Sequence, residues 1–322
     1  MEPTKKIINA IEKFNTFLIV SHVRPEGDSL GSQLAMANLL KAFGKDFVIL
    51  NSDKVPAHYA FLPQVNLIQN VIGRKKKKFD AAIVLDCPNL ARTGKVKNVI
   101  KDVGYIINID HHPGNENFGE INWSEKRASS AGELVYRLFK ASGSKITRQT
   151  ALYLYIAILT DTGSFNYSNA SAATHEIVSE LLGYGIEPYD VSKNIYENKS
   201  LASLKLLGLA LSGLKVTANG KVAYMAVGSE LFRRTKTGPS DCENFVNFAR
   251  SVRGVEAAVF FREDIEKKGL FHVSFRSGKK VDVNRIATTF GGGGHKSASG
   301  CAVQGVFVDV KRKVLKRVCD EL

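Results

Sequence analysis

Four short segments carry the side chains best suited to chemistry. The first, SHVRPEGDSLGS at 21–32, places His22, Glu26 and Asp28 within seven residues, and its proline and glycines allow a tight turn that aims all three inward. Asp86 closes an apolar run in LDCPN, Asp110, His111 and His112 stand side by side in NIDHHPGN, and Asp161 ends an apolar helical run in LTDTGSF. Carboxylate oxygens combined with imidazole nitrogens suit hard to borderline divalent ions, Mn2+ and Mg2+ above all. Each residue alone has an ordinary explanation: an Asp at a strand end is commonly an N-cap or turn former, and a lone His a core residue with satisfied hydrogen bonds. Three adjacent polar side chains at a strand end need partners once desolvated. Four such segments in one stretch of chain point to a shared metal centre.

The elements that must position these residues alternate. Apolar runs at 17–20, 46–50, 79–86 and 104–110 read as short strands of the buried, parallel-sheet type, and helical periodicity covers 29–44, 129–142 and 147–160. Strands alternating with helices predict an α/β fold with a doubly wound, mainly parallel sheet, whose ligand crevice lies at the carboxyl ends of the strands. His22, Asp86 and Asp110 fall at such ends. Residues 171–214 read as nearly continuous helix, and VAYMAV, VEAAVFFRED and LFHVSFRSG then signal a second, smaller mixed α/β domain with a helix at 282–289 and a glycine run at 291–294. The expected division is a metal-binding catalytic domain at 1–190, a helical connector at 191–214 and a substrate-binding domain at 215–322.

No stretch approaches the ~20 apolar residues of a membrane span, and the N-terminus lacks a signal peptide's apolar core, so no membrane partner and a cytoplasmic location are expected. Cys87, Cys242, Cys301 and Cys319 form no CxxC pair, which argues against a disulfide framework or thiolate zinc site. The net charge is +14. Most of the excess falls after residue 200, and a basic surface attracts polyanions, nucleotides and nucleic acid commonly among them. The simplest account of Arg74 to Lys78 is a solvated loop, and of Lys311, Arg312, Lys313, Lys316 and Arg317 the wet face of a last helix.

The glycine run has a chemical reading of its own. Gly292, Gly293 and Gly294 followed by His295, Lys296 and Ser297 offer backbone N–H groups beside a cation, a nest for phosphate. Ser274, Arg276 and Ser277 of SFRSG add a guanidinium fork suited to bidentate phosphate contact.

The histidine-and-acid loop at 22–28, the strand-end Asp86, the literal Asp-His-His of 110–112 and Asp161 in TDTGSF together resemble the four motifs of the DHH phosphoesterases. The segment GGGGHKSASG at 291–300 resembles the signature of the DHH-associated domain, and the match runs over essentially the whole chain in order. Within that superfamily the chain is most similar to the bacterial nano-RNase and pAp phosphatase group, which is bifunctional. The resemblance implies one metal held by His22, Glu26 and Asp86 and a second held by Asp28, Asp86, His111 and Asp161. Mn2+ would be preferred, with Mg2+ or Co2+ as alternatives. It further implies that His112 binds phosphate or acts as general acid, and that Asp110 holds an imidazole. Glu26 departs from the family's usual aspartate, which puts metal preference at that position in question.

The implied activity is hydrolysis of short RNA oligonucleotides, two to about five residues long, to mononucleotides, and of adenosine bisphosphate (pAp) to AMP and phosphate. A homodimer is compatible with this. A phosphodiesterase of cyclic di-adenylate or its linear product is the enzymatic alternative. A catalytically silent nucleotide-binding regulator is the other class, and such a protein would have lost ligands, whereas only Glu26 departs here.

Overall fold

The computed structural model describes residues 2–71, 78–217, 219–278 and 280–322, so Arg74 to Lys77 of the basic run lie outside the described residues. The chain divides into two compact units, Met1–Asn198 and Lys199–Leu322.

The first unit contains α1 (Pro3–Lys13), β1 (Thr16–Val20), α2 (Gly27–Ala42), β2 (Asp46–Asn51), β3 (Ile68–Asn70), β4 (Ala81–Leu85), α3 (Lys97–Ile100), β5 (Ile106–Asp110), β6 (Ile121–Ser124), α4 (Ala131–Ser142), α5 (Arg148–Asp161), α6 (Ala172–Leu182) and α7 (Pro188–Tyr196). Its six strands pair in the order β3-β2-β1-β4-β5-β6, every neighbour parallel. Alternate residues of each strand serve opposite faces. Phe17 and Ile19 join the core under α1, α2, α4 and α5, whereas Leu18 and Val20 meet Val96, Ile100 and Val103 on the other side. A sheet covered on both faces explains why its strands read as continuous apolar runs.

Helix α2 is buried around nearly its whole circumference between the sheet and α5. Gly31 permits this: a Cβ there would sit 2.3 Å from the Tyr153 carbonyl oxygen, so the two helix backbones touch. Strand order reverses between β1 and β4. That reversal opens a crevice beyond their carboxyl ends, where open α/β sheets place ligands.

The second unit comprises α8 (Leu201–Ser212), β7 (Lys215–Val216), β8 (Val222–Val227), α9 (Ser229–Thr235), α10 (Phe245–Arg250), β9 (Ala257–Glu263), β10 (Leu270–Ser277), α11 (Val283–Thr288), β11 (Gly293–His295), β12 (Ala298–Gln304) and α12 (Phe307–Cys319). Its sheet, β11-β12-β10-β9-β8-β7, is antiparallel except for the β8–β9 pair. The α/β class and the second mixed sheet agree with the sequence. The helical stretch expected as a connector is divided instead: α7 lies in the first unit, whereas Leu206, Leu207 and Ala210 of α8 share a core with Met225 and Phe260 of the second. Among the described residues no helix is long and apolar enough to cross a membrane.

Candidate metal centre

The crevice at the strand reversal collects most of the residues singled out in the sequence. His22 follows β1, Asp86 follows β4, Asp110 ends β5 with His111 and His112 behind it, Asp28 lies in the first turn of α2, and Asp161 is the last residue of α5. His22, Asp28, Asp86, Asp110, His111 and His112 are all buried.

Asp86 is central. Its Oδ2 lies 3.1 Å from His22 Nε2, while its Oδ1 lies 3.5 Å from His111 Nε2 and 3.7 Å from His112 Nδ1. The two oxygens of one carboxylate thus face different histidines. Its backbone sits in the left-handed region at φ 53°, which a non-glycine residue adopts at a cost and which recurs at functional sites. His111 Nε2 is also 3.7 Å from Asp28 Oδ2 and 3.6 Å from Asp161 Oδ2. Three carboxylates therefore converge on one imidazole nitrogen at separations too long for good hydrogen bonds.

Atoms on one small divalent ion, each ~2.1 Å from it, stand roughly 3 Å apart. Asp28, Asp86 and His111 offer ligand atoms within 4.8 Å of one another, as do Asp86, Asp110 and His112. Glu26 joins neither group. As the N-cap residue of α2 it has an extended backbone and an exposed side chain, and only its charge reaches His22 and Asp161.

Groups that sequence reasoning did not single out hold these side chains from behind. Asp28 accepts hydrogen bonds from Ser32 Oγ at 2.9 Å and from the first two amides of α4, Ala131 N at 2.8 Å and Gly132 N at 2.9 Å, where the helix dipole favours a carboxylate. Asp110 holds His112 Nδ1 at 2.7 Å and accepts from Asn115 Nδ2 at 2.6 Å. His22 Nδ1 lies 2.7 Å from the Val23 carbonyl oxygen, which fixes its proton there and turns Nε2 toward Asp86. Asn169 Nδ2 donates to Asp161 at 3.3 Å. Ser130 caps α4, its Oγ accepting from Glu133 N at 3.1 Å, and so directs the start of that helix at Asp28.

The electrostatics show what the cluster lacks. Burial, then the charges of Asp86 and Asp161, hold the Asp28 carboxyl well above the usual range. Burial likewise pushes Asp161 up to about 6, with Asp86 and Glu26 adding to it and His111 opposing. Burial would lower His22, but the Asp86 hydrogen bond and charge and the Glu26 charge outweigh it and raise it to about 9. His111, similarly burdened by burial, is raised well above 6.5 by Asp161, Asp86 and Asp28. Burial would raise Asp86, yet His111 and His22 hold it well below the usual carboxylate range. Acids pushed toward protonation beside imidazoles pushed toward charge mark a pocket short of positive charge at its centre. Divalent cations fit that deficit and this donor set.

In the second unit the candidate residues separate. Ser274 and Arg276 share one half-buried face of β10, whereas Ser277 is buried and donates its Oγ to the Val281 carbonyl at 2.7 Å. The glycine run is not a free nest. Gly292 N caps α11 by donating to Ala287 O at 2.9 Å, and 293–295 pair with 298–300 as an edge hairpin turning at Lys296 and Ser297. Gly294, at φ 144°, is required there, because a Cβ would meet the Ala298 carbonyl oxygen at 2.5 Å. Lys296 is exposed and His295 half-buried.

A parallel sheet with carboxylates and histidines gathered at its point of reversal defines a phosphoesterase of the DHH type, and the chain belongs to the DHH family. Residues 16–158 match the DHH family N-terminal domain and residues 219–322 match the DHHA1 domain. Among its relatives is the bifunctional oligoribonuclease and PAP phosphatase NrnA of Thermus thermophilus, 29% identical over 100% of this chain and 94% of that protein. The Bacillus subtilis protein of the same name is 27% identical over 92% of each. The crystal structure of an exopolyphosphatase-related protein from Bacteroides fragilis superposes with a TM-score of 0.91 at 30% identity, covering 99% of this chain and 95% of that one.

Proposed function

We propose that this protein is a two-metal phosphoesterase that hydrolyses very short oligoribonucleotides to mononucleotides and pAp to AMP and phosphate. The observation that carries the reading is the division of the Asp86 oxygens, one toward His22 and one toward His111, as a carboxylate shared between two ions would have them. One ion would be held by His22 and Asp86, with Glu26 completing the set by turning its exposed side chain inward on metal binding, the other by Asp28, Asp86, His111 and Asp161, with Mn2+ preferred. Such ions supply Lewis acidity and an acidified water to phosphoryl chemistry. The protein's own groups do the rest. Asp110 fixes the Nδ1 proton of His112, so that Nε2 is presented to the phosphate or to the leaving oxygen. Arg276 and the hairpin beside Lys296 are the candidates for holding a terminal phosphate. The relatives' names support the substrates, and the retention of His22, Asp28, Asp86, His111 and Asp161 supports catalysis over silent nucleotide binding. A Mn2+-supplemented panel of 5′-pApA, a long single-stranded RNA, pAp, cyclic di-adenylate and pyrophosphate tests the assignment. Turnover of pApA and pAp well ahead of the others is expected; preference for cyclic di-adenylate or the long RNA would overturn it.

A further inference from the structure

Arg92 has no part in the ligand set described above, yet the fold fixes it beside that set. Val23 N–H donates to the Arg92 carbonyl at 2.8 Å, and Val23 in turn accepts His22 Nδ1 at 2.7 Å, so the Arg92 segment and the His22 loop are tied through one residue. Arg92 N–H donates to Asn89 Oδ1 at 3.1 Å, and Lys95 N–H to Ser52 Oγ at 3.1 Å. At Gly94 a Cβ would come within 2.5 Å of Val23, so the loop is closely seated. The backbone under Arg92 is thereby pinned on both sides, and its cation is close enough to oppose protonation of His22.

A guanidinium in that position would ordinarily pair with one of the neighbouring carboxylates. Arg92 does not: it makes no ion pair among the described residues, and its buried Nε has no hydrogen-bond partner. Leaving a buried cationic donor unsatisfied is costly, and a planar five-donor fork is best satisfied by an oxyanion. We propose that Arg92 is a phosphate ligand of this site, its guanidinium contacting the non-bridging oxygens of the nucleotide phosphate next to His22. This rests on the phosphoesterase reading for its ligand, though not for its geometry. Contacts of this kind are charge-assisted and stronger than neutral ones.

The test is titration of inorganic phosphate into the Mn2+-loaded full-length protein by calorimetry, for wild type, Arg92→Ala and Arg92→Lys, with Mn2+ affinity measured separately for each. Phosphate should bind Arg92→Ala about ten- to a hundredfold more weakly and Arg92→Lys in between, with Mn2+ affinity unchanged, since Lys keeps the charge and loses the fork. Phosphate affinity within about twofold of wild type would overturn the proposal, as would a parallel fall in Mn2+ affinity, which marks a support for the metal ligands. Should Arg92→Ala lose its native melting transition, Arg92→Gln, which retains most of the side-chain stem, is read by the same criteria. A wild type that binds phosphate through Arg92 but cleaves nothing refutes the hydrolase reading alone. One that cleaves pApA with unchanged kcat/KM in Arg92→Ala refutes Arg92 alone.

Discussion

Replacing His22 by Gln in the ion-free protein should flatten the dependence of stability on pH. His22 is 4% exposed, and its pKa in the folded state is about 9, against 6.5 when unperturbed. A group whose pKa is raised on folding stabilises the native state fully below its unfolded value, and loses that contribution as pH rises through the folded one. The difference is worth roughly 3 kcal/mol at 1.36 kcal/mol per pH unit. Wild type in chelator should therefore lose roughly that much more stability than His22→Gln between about pH 6 and pH 9.5. His111 is raised in the same sense, but it is present in both proteins and largely cancels in the comparison. The assay is urea unfolding followed by the fluorescence of Trp123, the single tryptophan, which lies in β6 and so reports on the first unit. This matters because a chain of two units need not unfold in one step. If the wild-type and variant profiles run parallel within about 1 kcal/mol, the His22–Asp86 pair is not the charged contact inferred from its geometry.

Asp86→Ala should lower kcat/KM for pApA by about a thousandfold or more while the Trp123 transition persists, because it removes the carboxylate common to both proposed ions; near-normal turnover would refute the two-metal assignment. Gly31→Ala should destabilise the first unit by about 2 kcal/mol or more in the same urea assay, since the new methyl would meet the Tyr153 carbonyl oxygen at 2.3 Å and Ala157 Cβ at 3.2 Å, neither of which is the end of a flexible side chain. Arg276→Ala should cost about tenfold in kcat/KM for pApA and far less for bis-p-nitrophenyl phosphate, which has no terminal phosphate to hold. Equal losses would show that Arg276 supports the fold.

Much of the first unit was legible because a sheet buried on both faces leaves apolar runs as its trace, and three of the candidate residues, His22, Asp86 and Asp110, stand at the ends of those runs. Strand β6 was not: INWS at 121–124 is too short, and its alternation too brief, to announce an edge strand. Helix α1 was overlooked although its apolar face carries Ile7, Ala10 and Ile11 into the core. In the site, residue types identified Asp28 as a ligand candidate, but nothing near it in sequence forecast its partners, the amides at 131 and 132, more than a hundred positions away. Glu26 and Ser277 show the converse. Each was itself a candidate by residue type, Glu26 as a metal ligand and Ser277 as a phosphate contact, yet the side chain of Glu26 is exposed and that of Ser277 is buried.

The order in which the chain is made gives the strand reversal a further consequence. His22 and Asp28 emerge early from the ribosome, Asp86 follows, the Asp-His-His segment comes next, and Asp161 arrives only after α5 is complete. The contacts that close the cluster span 64 residues between His22 and Asp86 and 103 between Asp28 and Ala131. Such distant pairings form slowly, because loop closure must precede any gain from them. A nascent chain stalled before α5 would lack Asp161 of the second proposed ion site and the helix against which α2 packs. Completion of the proposed two-ion centre then belongs to the finished domain, and a product truncated before α5 should not hydrolyse pApA.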